Sequence, residues 1–488
     1  MVRHSSAILT EHLRERAQGE IKVMGGQQVR EWAKMISGLV AVPIDRNPGG
    51  TLVVCPVLYL HACRMTFNWN ASFVPVLETE EQIICEMKER YRREGLGNIA
   101  AWGKISRIGR AYILPKDKDI ERWRPISPTS SDPARLASAR LGRATRYMMF
   151  AVGDELHFDL RSTDVLKCKC LEIQNSLEEK CVSVWARSYD VKDMFVKLSH
   201  GSIMKAISWV IDHHRRKNLV GVRVSRRGKL CMMAQNPRGS EGFILMKFEQ
   251  IKKAVKFELN NAFTICASEI LKQVFGIPMG RNSSPALACL VCARSEAAFL
   301  DSLGADRRLV KGMRMIDDAA IIEGLEDEEE ESTRKADRIL SRFEECYDES
   351  LNLVRKDNES NSMEFLGTRI FVDIAPIAIH VFPRTRNQMS LAETGQLKVH
   401  SMQDFHSFSK KLTKRATLLA SMLRAYKMST SDEATVATIS TVVMVANLRG
   451  YPSKVSLGAL ARFAKLSGSH WGATLSMLYP GMERVWVL

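Results

Sequence analysis

The stretch "RMIDDAAII", residues 314–322, places two adjacent aspartates between two short apolar runs. Adjacent carboxylates repel each other, and burying an unpaired charge is very costly. Because the flanking runs favour burial, the two carboxylates need a positively charged partner. The two runs fit the strands of a tight hairpin with Asp317 and Asp318 at its turn. Taken alone, the pair also fits a solvated turn, so the interpretation depends on the rest of the chain.

A third acid follows another apolar run. The segment "VWARSYDVKDMFVKLSH" (184–200) begins as a strand and continues as a helix, and Asp190 lies where the strand ends. Three carboxylates at one site would require metal. Two Mg²⁺ ions about 4 Å apart would neutralise them and align an in-line phosphoryl displacement. Sequence separation does not show that the three acids meet in space.

Charge and composition narrow the class of protein. The 488 residues include 71 Lys and Arg against 55 Asp and Glu, a net charge of +16. This excess favours a polyanionic partner, with nucleic acid as the first candidate. Most of the 11 cysteines lie in apolar surroundings, which predicts reduced thiols inside a cell. No apolar run approaches the length of a membrane span, so the sequence predicts a soluble protein without a membrane partner.

Local patterns predict the elements around the acids. The run "TLVVCPVLYL" (51–60) is typical of a strand, and "TEEQIICEMKERYRREGL" (79–96) of a helix with Thr79 as N-cap. The acidic run "EDEEEES" (326–332) fits a solvated loop or a helix start. From about residue 400 onward, helical periodicity dominates and is interrupted at Gly450-Tyr451-Pro452.

The order of the motifs carries a family resemblance. A basic hairpin "AYILPKDKDIERWRPI" (111–126) precedes Asp190, and "QVFGIPMGRNSSPALA" (273–288) follows it as a loop that leads into an apolar helix. The DD hairpin, Lys356 and "MEFLG" (363–367) come next. Each motif is weak alone, but five in this order resemble a reverse transcriptase over roughly residues 40–460.

The resemblance narrows to Penelope-like retroelements, whose enzymes are similar to telomerase catalytic subunits. "VPIDRNPGGTLVVCPVLY" (42–59), "LPKDK" and "LRGYP" (448–452) resemble that group. Met315 departs from it, because a tyrosine or phenylalanine often precedes the DD pair there. The GIY-YIG nuclease pattern that many of these elements carry is not visible in the sequence.

The resemblance implies an α+β right-hand polymerase that acts as an RNA-directed DNA polymerase in the nucleus. Its expected parts are an N-terminal extension (1–100), fingers (101–185), a ferredoxin-like palm (186–380) with a fingers-type insertion at about 200–262, and a helical thumb with the C-terminal region (381–488). The expected partners are an RNA template, a DNA primer and deoxynucleoside triphosphates. The expected cofactor is two Mg²⁺ ions, with Mn²⁺ as a possible substitute.

The same resemblance implies roles for individual residues. Asp190, Asp317 and, less directly, Asp318 are expected to bind metal together with the carbonyl of Val191. Lys356 would be the general acid for the leaving pyrophosphate, or else a surface lysine. Phe195 would lie under the sugar and exclude a 2′-hydroxyl, or else pack in the core. The other expected nucleotide or template contacts are Lys118 (or Lys116) and Arg124 on the triphosphate, Asp193 beside it, Gln273 on the template, and Pro278, Met279 and Gly280 near the base.

Rival interpretations are an RNA-dependent RNA polymerase and a catalytically silent, domesticated nucleic-acid-binding protein. The first would favour a small polar residue in place of Phe195 and a glycine in place of Ile316, and the second is disfavoured because all three acids are present. A zinc site at Cys168, Cys170 and Cys181 is rejected because the spacing matches no common site. Cys289 and Cys292 are assigned to core packing.

Overall fold

The computed structural model describes residues 24–47, 50–104, 106–117, 119–357, 362–374, 376–384 and 402–478. The chain divides into two compact units. The first, here the larger unit, consists of Val54–Arg161 and Arg187–Lys356. The second, the smaller unit, consists of Met1–Val53, Ser162–Ala186 and Asp357–Leu488. The four-part division into extension, fingers, palm and thumb stays a prediction.

Helices and strands alternate through the described residues. The helices are α1 Gly26–Met35, α2 Pro56–Thr66, α3 Glu80–Arg93, α4 Arg135–Phe150, α5 Leu166–Glu178, α6 Met194–Lys197, α7 His200–Arg215, α8 Phe248–Asn260, α9 Ser284–Ser302, α10 Glu330–Glu344, α11 Lys411–Lys427, α12 Asp432–Leu448, α13 Ser453–Ser467 and α14 Ser469–Leu478. The strands are β1 Val40–Pro43, β2 Thr51–Val54, β3 Phe73–Val76, β4 Tyr112–Lys116, β5 Asp119–Ile126, β6 Ser183–Lys192, β7 Gly221–Ser225, β8 Cys231–Ala234, β9 Phe243–Lys247, β10 Phe263–Cys266, β11 Glu269–Gln273, β12 Val310–Met315, β13 Asp318–Leu325, β14 Asn352–Arg355, β15 Ser362–Phe365, β16 Thr368–Ile374 and β17 Ile377–Pro383.

The larger unit is organised around a four-stranded sheet with the order β12-β13-β6-β14. Strand β13 carries an apolar run without alternation, and every residue from Ala319 to Leu325 is buried. Such a run is typical of a strand that is covered on both faces. The apolar helix α9 packs against α4 and α7, and α10 packs against β13. Strand β13 therefore lies in a packed core, which fixes the position and direction of its ends.

Three smaller sheets complete the larger unit. Strands β4 and β5 pair as the predicted basic hairpin, with Leu114 opposite Arg124. Strand β7 lies between β8 and β9, and β11 lies between β10 and β3. The hairpin packs on α2, whose N-terminal residue is Pro56.

The smaller unit combines a three-stranded sheet, in the order β15-β16-β17, with the four C-terminal helices. The helices enclose an aromatic core in which Trp471 contacts both Phe463 and Tyr426. In the turn between β15 and β16, Leu366 and Gly367 have φ of +52° and +75°. Arg424 donates a hydrogen bond to the Leu366 carbonyl at 3.0 Å, so helix α11 supports this turn.

One remaining sequence prediction, the packing of two cysteines, can be compared with these elements. The cysteines of α9, Cys289 and Cys292, are buried in the core as predicted. In the described part of the chain, no group of three or more His, Cys, Asp or Glu side chains could hold a metal ion, zinc included. No described helix combines the length and the apolar character that crossing a membrane requires.

Glu323 gives the larger unit a testable pH dependence. Its side chain is buried on β13, and burial, reinforced by Asp306 and opposed by Lys335 and Arg187, raises its pKa to about 8. At pH values between 4.5 and about 8, the Glu323 carboxyl group keeps its proton in the folded state and loses it in the unfolded chain. Stability from this group is therefore highest at acid pH and falls as the pH rises to about 8.

We expect Glu323→Gln to exceed the wild type in free energy of unfolding at pH 9, by on the order of a few kcal/mol. The difference should shrink toward pH 5, because the wild-type carboxyl group is then neutral. Urea unfolding of both proteins at the two pH values measures this. An equal difference at pH 5 and pH 9 would contradict the assignment.

Candidate active site

The fold brings the three predicted acids to one end of the central sheet. Asp190 lies on β6, and Asp317 and Asp318 lie at the turn between β12 and β13, where Met315 pairs with Asp318. The amide of Val191 donates a hydrogen bond to the carbonyl of Asp317 at 2.8 Å. This bond ties the turn directly to the strand end that carries Asp190. The backbones that carry the three acids are therefore neighbours in the structure, which the sequence alone left open.

The turn itself is strained. Ile316 has φ of +60°, in the left-handed region that β-branched residues rarely adopt. Such a residue costs on the order of 1–3 kcal/mol and persists only where the surroundings impose it. The two-residue turn between Met315 and Asp318 requires this conformation, and it places Asp317 in the turn and Asp318 at the first residue of β13.

Lysines neutralise the acids. The Lys356 ammonium lies 2.7 Å from Oδ1 of Asp190 and 2.6 Å from Oδ1 of Asp318. Lys192 lies 2.5 Å from the other oxygen of Asp190. Strand β14 holds Lys356 in place, since it pairs with β6 and the Lys356 amide donates to the Ser188 carbonyl at 2.8 Å. Two of the three carboxylates thus share one cation position.

These contacts shift the titration of the site. Partial burial alone raises the pKa of Asp190, but hydrogen bonds from Lys192 and Lys356 outweigh it, and the pKa is lowered from its usual value. For Lys356, burial acts to lower the pKa, while the hydrogen bonds to Asp190 and Asp318 raise it, and the net direction is upward. Both shifts favour the charged forms, so Asp190 is anionic and Lys356 is cationic near neutral pH.

The donor set can be tested against the expected Mg²⁺. Carboxylate and carbonyl oxygens are the ligands that Mg²⁺ prefers, and two carboxylates here already converge on a single cation. The side chains of Asp190, Asp317 and Asp318 do not themselves form a three-acid cluster of metal-binding geometry. The chemistry of the residues therefore fits a divalent ion, provided that Lys356 releases at least one of its two carboxylates when the ion binds.

A loop after β11 closes a second side of the site. The amide of Ile277 donates to the Phe195 carbonyl at 2.7 Å, and the amide of Gly276 donates to the Leu198 carbonyl at 3.1 Å. Gly276 has φ of +74°, and a Cβ there would lie 2.4 Å from the Val196 carbonyl oxygen. Backbone hydrogen bonds thus join the predicted nucleotide loop to the segment after Asp190, and the close approach at Gly276 requires glycine. The Phe195 side chain is half-buried.

The same loop contacts the end of the basic hairpin. The amide of Ser127 donates to the Met279 carbonyl at 2.9 Å, and Thr129 Oγ1 donates to the Gly280 carbonyl at 3.0 Å. Gly280 has φ of +137°, and a Cβ would lie 2.5 Å from the Ser127 carbonyl oxygen. Strand β5, which carries Arg124, therefore ends against the Pro278–Gly280 loop.

The remaining predicted residues occupy varied surroundings. Asp193 is exposed, has φ of +52°, and caps α6 through its carbonyl, which accepts from the amides of Val196 and Lys197. Gln273 is buried on β11, and its Nε2 donates to the Phe275 carbonyl at 3.0 Å, so it braces the nucleotide loop. Lys116 ends β4, while Lys118 lies outside the described residues. Template and triphosphate contacts by these residues stay predictions.

With this geometry established, comparison with solved structures identifies the architecture. The apo telomerase of Candida tropicalis superimposes with a TM-score of 0.52 at 12% identity, covering 98% of this chain and 82% of that one. A Candida albicans telomerase, solved with a TWJ fragment of telomeric RNA, gives a TM-score of 0.51 at 11% identity and covers 94% of this chain and 78% of that one. The chain has the right-hand polymerase fold. This confirms the predicted fold class.

Sequence similarity adds nothing to this result. No protein-family model matches the chain, and no curated protein sequence matches it. Because the identities to the two telomerases are so low, the likeness concerns the fold alone. The activity has to be argued from the residues.

Two site residues escaped the sequence analysis. Lys192 lies two positions after Asp190, and residues two apart on a strand point to the same face, so its pairing with Asp190 was predictable from strand alternation. For Arg314, the sequence predicted only a place in the first strand of the hairpin. Its contacts with Asp159 and Glu296, far away in the chain, could not be inferred from local sequence.

Proposed function

We propose that this chain is an RNA-directed DNA polymerase, which adds deoxynucleotides to the 3′ end of a primer on an RNA template. One observation carries the proposal: Asp190, Asp317 and Asp318 converge at one end of a central sheet, beside a glycine-dependent loop fused to the segment after Asp190. A general nucleic-acid polymerase is the coarser conclusion that the fold supports. The choice of deoxynucleotides rests on Phe195, and the choice of an RNA template rests on the net positive charge and on a structural neighbour.

The acids would hold two Mg²⁺ ions together with the carbonyl of Val191. When bound, such ions stabilise charge on the attacking and leaving oxygens of phosphoryl transfer. The protein contributes the placement of the ligands, because the Val191–Asp317 hydrogen bond joins β6 to the β12–β13 turn, and β13 is buried from Ala319 to Leu325. Mn²⁺ would bind the same oxygen ligands.

Lys356 would serve the reaction in two ways. In the absence of metal, it neutralises Asp190 and Asp318. Its raised pKa keeps a proton on Nζ near neutral pH, as donation to the leaving pyrophosphate requires. Release from the carboxylates on metal binding would free the ammonium group for this second role.

We expect Lys356→Gln to bind Mn²⁺ several-fold more tightly than the wild type, because the ammonium no longer competes for Asp190 and Asp318. The same variant should extend primers more slowly by about 10²-fold, since general acids contribute on that order. Isothermal titration with Mn²⁺ and primer extension measure the two effects. Lys335→Gln is the matched control, because it also removes a paired lysine, but one whose partner is Asp306 and not an aspartate of the candidate site. Unchanged Mn²⁺ affinity would contradict the competition.

The nucleotide would bind between the Phe195 segment, the Pro278–Gly280 loop and β5. Arg124, with Lys116 or Lys118, would hold the triphosphate, since guanidinium groups bind phosphate oxygens in pairs and ammonium groups act as point charges. Phe195 would lie under the sugar and exclude a 2′-hydroxyl. Asp193 would lie beside the triphosphate, Gln273 would contact the template, and Met279 would lie near the base.

RNA is the proposed template. The excess of 16 positive charges suits phosphate backbones, with an affinity that falls steeply as salt rises. A structural neighbour was solved with telomeric RNA, which supports RNA binding in this fold. The Leu366-Gly367 turn, supported by Arg424, is the proposed grip on the primer.

The proposed origin is a retroelement of the Penelope-like group that acts in the nucleus. The support is the resemblance of the leader "VPIDRNPGGTLVVCPVLY" and of "LRGYP" to that group. Because no GIY-YIG pattern is visible in this sequence, we propose that the enzyme extends 3′ ends that are made elsewhere; the alternative is that this chain is one part of a longer element whose nuclease lies outside it.

Primer extension with purified protein tests the activity. A DNA primer is annealed to an RNA or a DNA template, and each duplex is supplied with Mg²⁺ and either deoxynucleotides or ribonucleotides. The proposal expects the fastest extension with the RNA template and deoxynucleotides. A preference for ribonucleotides would indicate an RNA polymerase instead, and binding without extension in any combination would indicate a silent binding protein.

A further inference from the structure

Arg314 forms a buried ion-pair network beneath the aspartate turn. Its side chain is 0% exposed and lies on β12, two residues before Ile316. Its Nε lies 2.5 Å from Oε1 of Glu296 on α9, and its Nη1 lies 2.9 Å from Oδ1 of Asp159. Both carboxylates are as buried as the guanidinium, with exposures of 0% and 1%. The network thus joins three separate parts of the larger unit.

The guanidinium also contacts the turn directly. Nη1 donates to the Ile316 carbonyl at 3.3 Å, and Nη2 donates to the Cys289 carbonyl at 3.2 Å. The backbone of Arg314 also holds strand β12 in place. The Arg314 amide donates to the Phe158 carbonyl at 2.6 Å, and the Arg314 carbonyl accepts from the Leu160 amide at 2.7 Å. Arg314 therefore fixes both the strand that enters the turn and the carbonyl of its strained residue.

Stability alone does not account for such a network. Buried ion pairs are costly to desolvate, and well-packed apolar residues of similar volume often replace them without loss. Glu296 is further held by the amide of Phe158 at 2.9 Å and by the hydroxyl of Tyr347 at 2.8 Å, so its orientation is over-determined. A rigid, multiply anchored arginine is what a strained turn needs to remain in a single conformation.

We propose that Arg314, with Glu296 and Asp159, is a positioning network that holds the Ile316–Asp318 turn in the conformation required for nucleotidyl transfer. The inference rests on the proposed function. Arg314 is fully buried, and it would act on the turn through the Ile316 carbonyl and the strand. Its loss should therefore lower the rate of the chemical step without weakening substrate binding, because small misplacements of reacting groups slow catalysis strongly.

Two variants test the network. Asp159→Asn/Glu296→Gln/Arg314→Met removes all three charges at nearly constant volume and leaves no unpaired charge. Arg314→Lys keeps the charge, but a single ammonium group lacks the planar fork with which the arginine reaches its four partners. In both, we expect kcat for extension to fall at least tenfold, while KM for deoxynucleotide and Kd for the duplex stay within about twofold. Circular dichroism and thermal melting establish which variants are folded, and one folded variant is sufficient for the test.

A rescue separates positioning from a general structural role. Asparagine adopts positive φ more readily than isoleucine, so adding Ile316→Asn to the folded variant should restore kcat at least threefold. As the control, Arg187→Met/Asp337→Asn removes a partly buried ion pair of the same unit that does not touch the turn, and it should leave kcat unchanged.

The outcomes are distinguishable. Wild-type kcat in a folded network variant, or no rescue by Ile316→Asn, would overturn the positioning role while the proposed function stands. A wild-type protein that extends no primer would instead remove the proposed function on which the inference rests.

Discussion

Replacing Asp317 with asparagine is expected to lower the rate of primer extension by at least about 10³-fold while leaving duplex binding nearly intact. The amide has the same shape as the carboxylate, so the hydrogen bond between the Asp317 carbonyl and the Val191 amide survives. The negative charge that would bind the metal is lost, and metal ions supply several kcal/mol of transition-state stabilisation. Single-turnover extension with Mg²⁺ and fluorescence anisotropy of a labelled duplex measure the two quantities.

The matched control is Asp327→Asn, an acid in the exposed run before α10. It removes the same charge from the chain and should change neither rate nor binding. Extension at the wild-type rate by Asp317→Asn in Mg²⁺ would rule out the two-metal account of the aspartate pair.

The second large effect concerns the choice of sugar. Phe195 is half-buried, and its backbone is fixed to the nucleotide loop by the hydrogen bond from Ile277. In the proposed nucleotide site, this ring would fill the space that a ribose 2′-hydroxyl needs. We expect Phe195→Ala to lower the preference for deoxynucleotides over ribonucleotides by on the order of 10²-fold, measured as the ratio of kcat/KM values.

The gain should come from faster ribonucleotide incorporation, with deoxynucleotide incorporation reduced only slightly. Phe371→Ala, which truncates a partly buried ring on β16 in the smaller unit, is the control and should leave the ratio unchanged. A ratio that does not move in Phe195→Ala would show that Phe195 is a packing residue and that the alignment of the segment after Asp190 is wrong.

Local elements were largely predictable from the sequence. Thr79 caps α3 through a capping box with Gln82, as its position before the glutamates predicted. The acidic run leads into α10, and the tail is helical on both sides of Gly450. The strand predicted at 51–60 was wrong beyond Val54, because Pro56 at the first helical position starts α2 and its apolar residues continue with a helical period.

The site was predictable in its residues but not in its contacts. The order of motifs pointed to Asp190, Asp317 and Asp318. Asp317 lies in the predicted hairpin turn and Asp318 begins β13, whereas β6 continues two residues past Asp190, to Lys192. The sharing of Asp190 and Asp318 by Lys356, and the burial of Arg314 against Asp159, depend on strands that pair across more than 100 residues. Periodicity reports the face of a single strand and carries no information about its partner.

The central claim is that this chain selects each nucleotide by the template base and joins it to a primer. Single-nucleotide addition tests it most directly: four RNA templates that differ only in the first unpaired base are each offered the four deoxynucleotides one at a time, with Mg²⁺. The account predicts extension by one residue in the four complementary combinations, and none above background in the other twelve. Extension that ignores the template base, or no extension in any of the sixteen, would contradict it.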